Sequence, residues 1–205
     1  MIAVIGKKGA MFQLYDGSGM VRPSTEIKVS GCVVVAKRTR AAHGYEALQL
    51  GTGTPSKRVL TKPYSGYFRK SGLEPTGVLR EVRVAKADDY QIGQKLGVEL
   101  FQPGDKVSVV GTTKGRGFAG GMRRWGWHGG PAAHGSMTHR RIGSLGSGSS
   151  PGRVLRGRTM PGHYGVERVT IRNLKVVKVD PENGALYVRG AVPGFQGSVV
   201  IVRKG

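Results

Sequence analysis

A mainly β fold with a small helical insertion and a long basic arm is predicted by three features of this 205-residue sequence. Stretches rich in Val and Ile, with partial period-two alternation, lie towards both ends. A short stretch with helical signals interrupts the first half. Between the β-rich ends runs a segment without a single Asp or Glu. Strands alternate their side chains between two faces, so such runs bounded by Gly, Pro and Asn report half-buried sheet. The length suits one domain, or one domain with a sizeable extension, and 38% hydrophobic residues can supply a real core.

The elements follow in order. The N-terminus, MIAVIGKKGAMF, has an apolar run of four residues before two lysines, too short for the core of a secretion signal, so a cytoplasmic location is expected. Residues 27–38, IKVSGCVVVAKR, read as strand. The single cysteine, Cys32, lies there; it cannot close an internal disulfide and reads as a small buried hydrophobe. Residues 62–83, KPYSGYFRKSGLEPTGVLREVR, predict a short helix near 64–71 that Gly72 ends, then a second short piece after Pro75. VERVTIRNLKVVKVD, ALYVRGAV and SVVIVRK read as strands. DPENG, residues 180–184, supplies a hairpin turn with Asn183-Gly184 as its φ-positive pair. The expected architecture is a β-barrel or closed sheet from residues 1–40, 82–110 and 166–205, a small helical basic insertion at 41–81, and an extended Gly/Arg-rich arm at 111–165.

Charge points to the partner. Against 33 Lys and Arg stand 12 Asp and Glu, a formal net charge of +21 that draws in polyanions. Nucleic acid is the leading class. A membrane surface fits less well, because there is no basic amphipathic helix, no lipidation motif and no apolar run of about 18 residues. Within residues 106–166 lie ten Lys or Arg, four of the five His, sixteen Gly and no acid. Such a segment cannot neutralise itself with internal ion pairs, and its few apolar side chains cannot offset the entropy of ordering it. It needs an external polyanion to fold against.

Residues 115–120, GRGFAG, spell G-x-G-x-x-G, which raises a nucleotide-dependent enzyme as the rival reading. That fingerprint needs a strand, a tight glycine turn, a helix and an acid about 20 residues later. Here the continuation is too rich in glycine to predict a helix, and the next acid is Glu167. A zinc site from His128, His134 and His139 lacks a fourth ligand at short spacing. A hydrolase pairing His134 or His163 with Ser136 or Ser144 lacks a carboxylate to orient the imidazole. No metal, cofactor or small-molecule substrate is therefore expected.

An RNA ligand uses the segment better. Lys114, Arg116, Arg123, Arg124, Arg140, Arg141, Arg153, Arg156 and Arg158 can bind phosphates or stack on bases. Trp125, Trp127 and Phe118 offer stacking faces, and His134, His139 and His163 can stack or donate to phosphate. Glycines let the backbone approach RNA closely. No recognition-helix pattern, zinc-finger spacing or RNP1 signature favours DNA or a known RNA module.

The motifs GTTKGRGFAGGMRRW, GGPAAHGS, HRRIGSLG, PGRVLRGRTMPGHYGVERVT and GAVPG, in this order, closely resemble the large-subunit ribosomal protein three family. HGYEALQLG, KPYSGYFRKSG and LREVR extend the likeness over nearly the whole chain. The resemblance implies a six-stranded barrel of the type shared with translation factors, binding to 23S rRNA near its 3′ end, and a loop reaching toward the peptidyl transferase centre. It also implies a part in early subunit assembly, no enzymatic activity, a cytoplasmic, ribosomal location, and large-subunit proteins fourteen and nineteen as neighbours. In the N-terminal motif this chain has Ala10, Met11 and Phe12 where Gly-Met-Thr is usual in the family. Ala133 replaces a hydroxyl residue, and Ser149 stands where some relatives carry a glutamine that is methylated.

Overall fold

The opening strand, β1 (Ile2–Tyr15), buries Ala3, Val4 and Ile5 in succession. Side chains alternate along a strand, so three consecutive buried residues mean that both faces of β1 are covered. This computed structural model describes residues 2–17 and 19–204. Two units divide the chain, Met1–Thr113 with Arg168–Gly205, and Lys114–Glu167. In the first, β1 is followed by β2 (Val21–Lys28), β3 (Cys32–Arg38), α1 (Arg40–His43), β4 (Ala47–Thr52), α2 (Lys62–Lys70), β5 (Val78–Arg83), β6 (Lys95–Leu96) and β7 (Lys106–Thr112). The second contains β8 (Phe118–Ala119), α3 (Gly121–Trp125) and β9 (Gly162–His163). The chain then re-enters the first unit as β10 (Arg168–Asp180), β11 (Ala185–Arg189) and β12 (Val199–Lys204).

Six strands of the first unit pair antiparallel in the order β1-β12-β7-β10-β11-β2, and β2 pairs back to β1 to close a barrel. Register builds its core. Val4 faces Val202, which faces Val109, and Ile27 faces Leu186, so fully buried β-branched and aliphatic side chains meet in rows across strands. A second sheet runs β5-β4-β3-β6, and β1 touches β3 and β4. One apolar cluster joins Val4, Ile5 and Val202 of the barrel to Val34, Leu50 and Val82 of this sheet. Cys32 sits in that cluster, fully buried, and burial raises its thiol pKa.

Three expectations need correction. Residues 27–38 are not one strand: the chain breaks at Ser30 and Gly31, where Gly31 at φ +50 turns it out of β2. As a result β3, expected in the barrel, belongs to the second sheet, and so do Val82 and Arg83 of β5. The piece after Pro75 is the strand β5, because its residues pair with β4 from Thr52↔Val78 to Ala47↔Arg83. The stretch 41–81 expected as a helical insertion therefore also holds β4 and the first part of β5 beside its helical residues. In the 180–184 turn only Gly184 has positive φ (+58). Asp180 already closes that turn by accepting hydrogen bonds from the Asn183 backbone and side chain, so Asn183 needs no left-handed conformation.

Helix α2 is short and cationic, with Lys62, Arg69 and Lys70 exposed. Pro63 suits its first turn, and Gly72, at φ +65, follows its end. What holds it is one side: Phe68 is fully buried and meets the rings of Tyr64 and Tyr67. The Tyr67 hydroxyl donates to Gln49 of β4, and that of Tyr64 to the Thr76 carbonyl, 2.7 Å away. The opposite side is left to solvent with its charges.

Few acids are present, and the structure uses several of them. Glu81 accepts hydrogen bonds from the Tyr45 hydroxyl (2.9 Å) and Arg38 Nε (3.1 Å), which lower its pKa. Asp105 is lowered first by its hydrogen bond from Lys204, at 2.5 Å, and Asp180 by Asn183. A carboxylate whose folded pKa lies below its unfolded value adds stability above the unfolded pKa and loses it as pH falls through the folded one. Urea midpoints should therefore hold steady from neutral pH down to about 4.5, the ordinary Glu value, and drop below it. Glu81→Gln should flatten part of that drop. Identical acid profiles for Glu81→Gln and the unmodified chain would count against this account.

Candidate nucleic-acid interface

The unit Lys114–Glu167 has almost no apolar interior: among its described residues only Ala119, Gly121 and Gly165 are buried. Its order comes from local clasps instead. β8 pairs with β9 through Phe118↔His163 and Ala119↔Gly162. Beside that pair, the Arg116 amide donates to the Tyr164 carbonyl and the Tyr164 amide to the Gly117 carbonyl, both at 2.9 Å. The Arg116 guanidinium lies 5.4 Å from the Tyr164 ring centre.

A helix does follow Gly120, contrary to expectation. It is the five-residue α3, ended by Gly126 with a left-handed φ of +71. Side chains retain this single turn despite its glycines. Arg124 Nη1 and Trp125 Nε1 both donate to the Met160 carbonyl, at 2.9 and 2.8 Å, and the Arg124 guanidinium sits 4.9 Å from the Trp125 ring. Trp127 Nε1 donates to Thr159 Oγ1 at 3.3 Å, and its ring occupies the space that a Cβ on Gly121 would need. The GRGFAG stretch is thus half of a β pair, with the Arg116 amide engaged by Tyr164 rather than free to cradle a pyrophosphate.

The residues expected to bind RNA therefore fall into two sets. Arg116, Arg124, Trp125, Trp127 and His163 belong to the clasp between residues 114–127 and 159–164. Lys114, Arg123, His134, His139, Arg140, Arg141, Arg153, Arg156 and Arg158 are exposed, and none makes a salt bridge among the described residues. His134 and His139 take positive φ (57 and 37), and the His139 carbonyl accepts from Gly130 N at 2.7 Å, so backbone rather than side chain fixes this bend. Sequence reasoning missed Tyr164, Thr159 and Met160, which complete the clasp. The Arg-aromatic pairing of Arg116 with Tyr164 has no spacing signal, since the partners lie 48 positions apart. No acid sits within the unit until Glu167, and Phe118 and Met137 are 80% and 81% exposed. The result is a cationic surface with scattered flat and apolar faces, the chemistry that suits phosphates and unstacked bases.

The family model for ribosomal protein L3 matches residues 76–188, more than half of the chain. The chain belongs to the ribosomal protein L3 family. It is 50% identical over 201 residues to the large ribosomal subunit protein uL3 of Pelotomaculum thermopropionicum, covering 98% of this chain and 95% of that one. With uL3 of Thermotoga petrophila it shares 49% identity over 204 residues, covering 100% and 97%, and with uL3 of Carboxydothermus hydrogenoformans 48% over 201 residues, covering 98% and 96%. Members of this family are structural ribosomal proteins and not enzymes, which removes the nucleotide-dependent enzyme as a reading of GRGFAG. No helix among the described residues is long and apolar enough to cross a membrane.

Proposed function

We propose that this chain is a structural protein of the large ribosomal subunit that binds 23S rRNA near its 3′ end and helps nucleate early assembly. The barrel, of the type shared with translation factors, and the cationic α2 anchor it. The segment Lys114–Glu167 enters the RNA and extends toward the peptidyl transferase centre, with large-subunit proteins fourteen and nineteen as neighbours in the cytoplasmic ribosome. One observation carries the reading: exposed arginines without internal acids cover a segment that has almost no core of its own. A solvated basic surface alone would not account for two tryptophans and a tyrosine clasped beside those arginines.

Two measurements test it. The chain should cosediment with large subunits after a high-salt wash. For 23S rRNA fragments containing the 3′ region, log affinity should fall linearly with log salt, with a slope of roughly −0.7 to −0.9 per phosphate neutralised. A flat dependence, or loss of the chain from washed subunits, would overturn the proposal.

A further inference from the structure

Beside the middle of β1, the first unit contains a cavity of about 220 Å³ lined by its own residues alone. Its walls are the register row Val199–Lys7–Lys28 across β12, β1 and β2, Gly77 just before β5 with Val78 at its start, and the loop that runs from Thr52 to Val59. Gly77 N donates to the Gly53 carbonyl at 2.7 Å, which pins the loop to β5 and keeps the cavity formed. Val59, Val78 and Val199 are half-buried and give it apolar faces.

Charge at its mouth is one-sided. Lys7 and Lys28 are direct partners across an antiparallel pair, an arrangement that costs stability when both carry the same charge. Lys28 has only a long contact to Glu26, at 3.8 Å, and Lys7 makes no ion pair among the described residues. Lys57 and Arg58 lie in the wall loop, both exposed, and no acid lines the cavity. With no acid among the lining residues, an anion seated beside Lys7 and Lys28 would be favoured by both charges. Size narrows the ligand further: an apolar cavity of about 150 Å³ accepts a benzene-sized ring, so this one admits a single heterocycle and excludes a helix.

We propose that this cavity binds one unstacked ribonucleotide of the rRNA, its base against Val59, Val78 and Val199 and its phosphates on Lys7 and Lys28. This deepens the rRNA-binding reading and rests on it. It adds a base-sized site on the barrel, separate from the segment Lys114–Glu167.

The test uses the full chain bound to 23S rRNA, irradiated with short-wave ultraviolet light, digested, and searched for nucleotide adducts. Adducts are expected on peptides covering Lys7, Lys28 or residues 52–59. Ser56→Trp, at the exposed lip of the cavity, should fill it, abolish those adducts and weaken rRNA binding about fivefold or more, roughly the loss expected when one base face no longer buries apolar surface against the valines. Ser56→Ala should do neither. Lys7→Gln with Lys28→Gln should make the salt slope shallower by roughly 1.4, two phosphates of a single strand. Thermal midpoints unchanged by Ser56→Trp keep a folding defect out of the comparison. Normal rRNA affinity with no adducts at these peptides, or an unchanged affinity in Ser56→Trp, would overturn this site alone. So would chemical crosslinks from Lys7 and Lys28 to a neighbouring protein in assembled subunits, since a protein would then occupy the cavity. Failure of the unmodified chain to bind the rRNA would overturn the wider reading together with it.

Discussion

Replacing Arg140, Arg141, Arg153, Arg156 and Arg158 together by Gln is expected to weaken binding to 23S rRNA by at least about a thousandfold at physiological salt. These five are exposed and make no salt bridge among the described residues, so their charges are available to an external polyanion. A hydrogen bond to a charged group contributes about 1.5–3 kcal/mol, and a thousandfold loss is about 4 kcal/mol. That loss needs only some of the five to be engaged. If all five meet phosphates, the salt slope should become shallower by roughly 3.5 to 4.5. Arg116 and Arg124 are left in place because they hold Tyr164 and the Met160 carbonyl, and removing them would mix lost contacts with lost order. The measurement is a salt titration of affinity alongside circular dichroism. A folded variant that binds with the original affinity and slope would show that the segment is a solvated surface and that the barrel does all the binding.

The second large effect is on stability. Phe68→Ala should cost about 3–5 kcal/mol, the usual range for emptying a fully buried phenylalanine site, which is a large share of the 5–15 kcal/mol or so that holds a domain together. Phe68 is the one buried side chain of α2 and the ring on which Tyr64 and Tyr67 converge. Losing it should free the helix from β4 and with it the exposed Lys62, Arg69 and Lys70. Leu60→Ala, at a site 42% exposed just before the helix, should change stability by no more than about 0.5 kcal/mol. Urea midpoints measure both, and hydrogen exchange across 62–70 locates the change. Equal midpoints for the two variants would mean that α2 is held by its tyrosine hydroxyls and not by apolar burial.

The charge pattern is a property of the covalent chain, so the acid-free segment and the polyanion it calls for are legible from residue order alone. Runs rich in Val and Ile, only partly alternating, likewise mark β10, β11 and β12, because these side chains suit a strand's half-buried or buried faces. The hairpin at 180–184 is legible for the same kind of reason, since Asp180 closes the turn on Asn183 within the segment and Gly184 supplies its one positive φ. Family resemblance in the long glycine-rich motifs is also readable, since it too needs nothing but the order of residues.

Tertiary structure alone decides which sheet each strand joins. β3 has the same alternation whether it pairs with a barrel strand or with β4, and only the turn at Gly31 sends it to the second sheet. The opposition of Lys7 to Lys28 is equally hidden, because an irregularity between Lys8 and Met11 shifts the register that the β1–β2 hairpin would otherwise set. Propensity argues against helix α3, correctly as far as local energetics go. It forms because Arg124 and Trp125 reach a carbonyl more than thirty positions away and Trp127 rests on the bare backbone of Gly121. Local preference is summed along the chain, whereas these contacts exist only once distant segments have been brought together, and that is why they outweigh it.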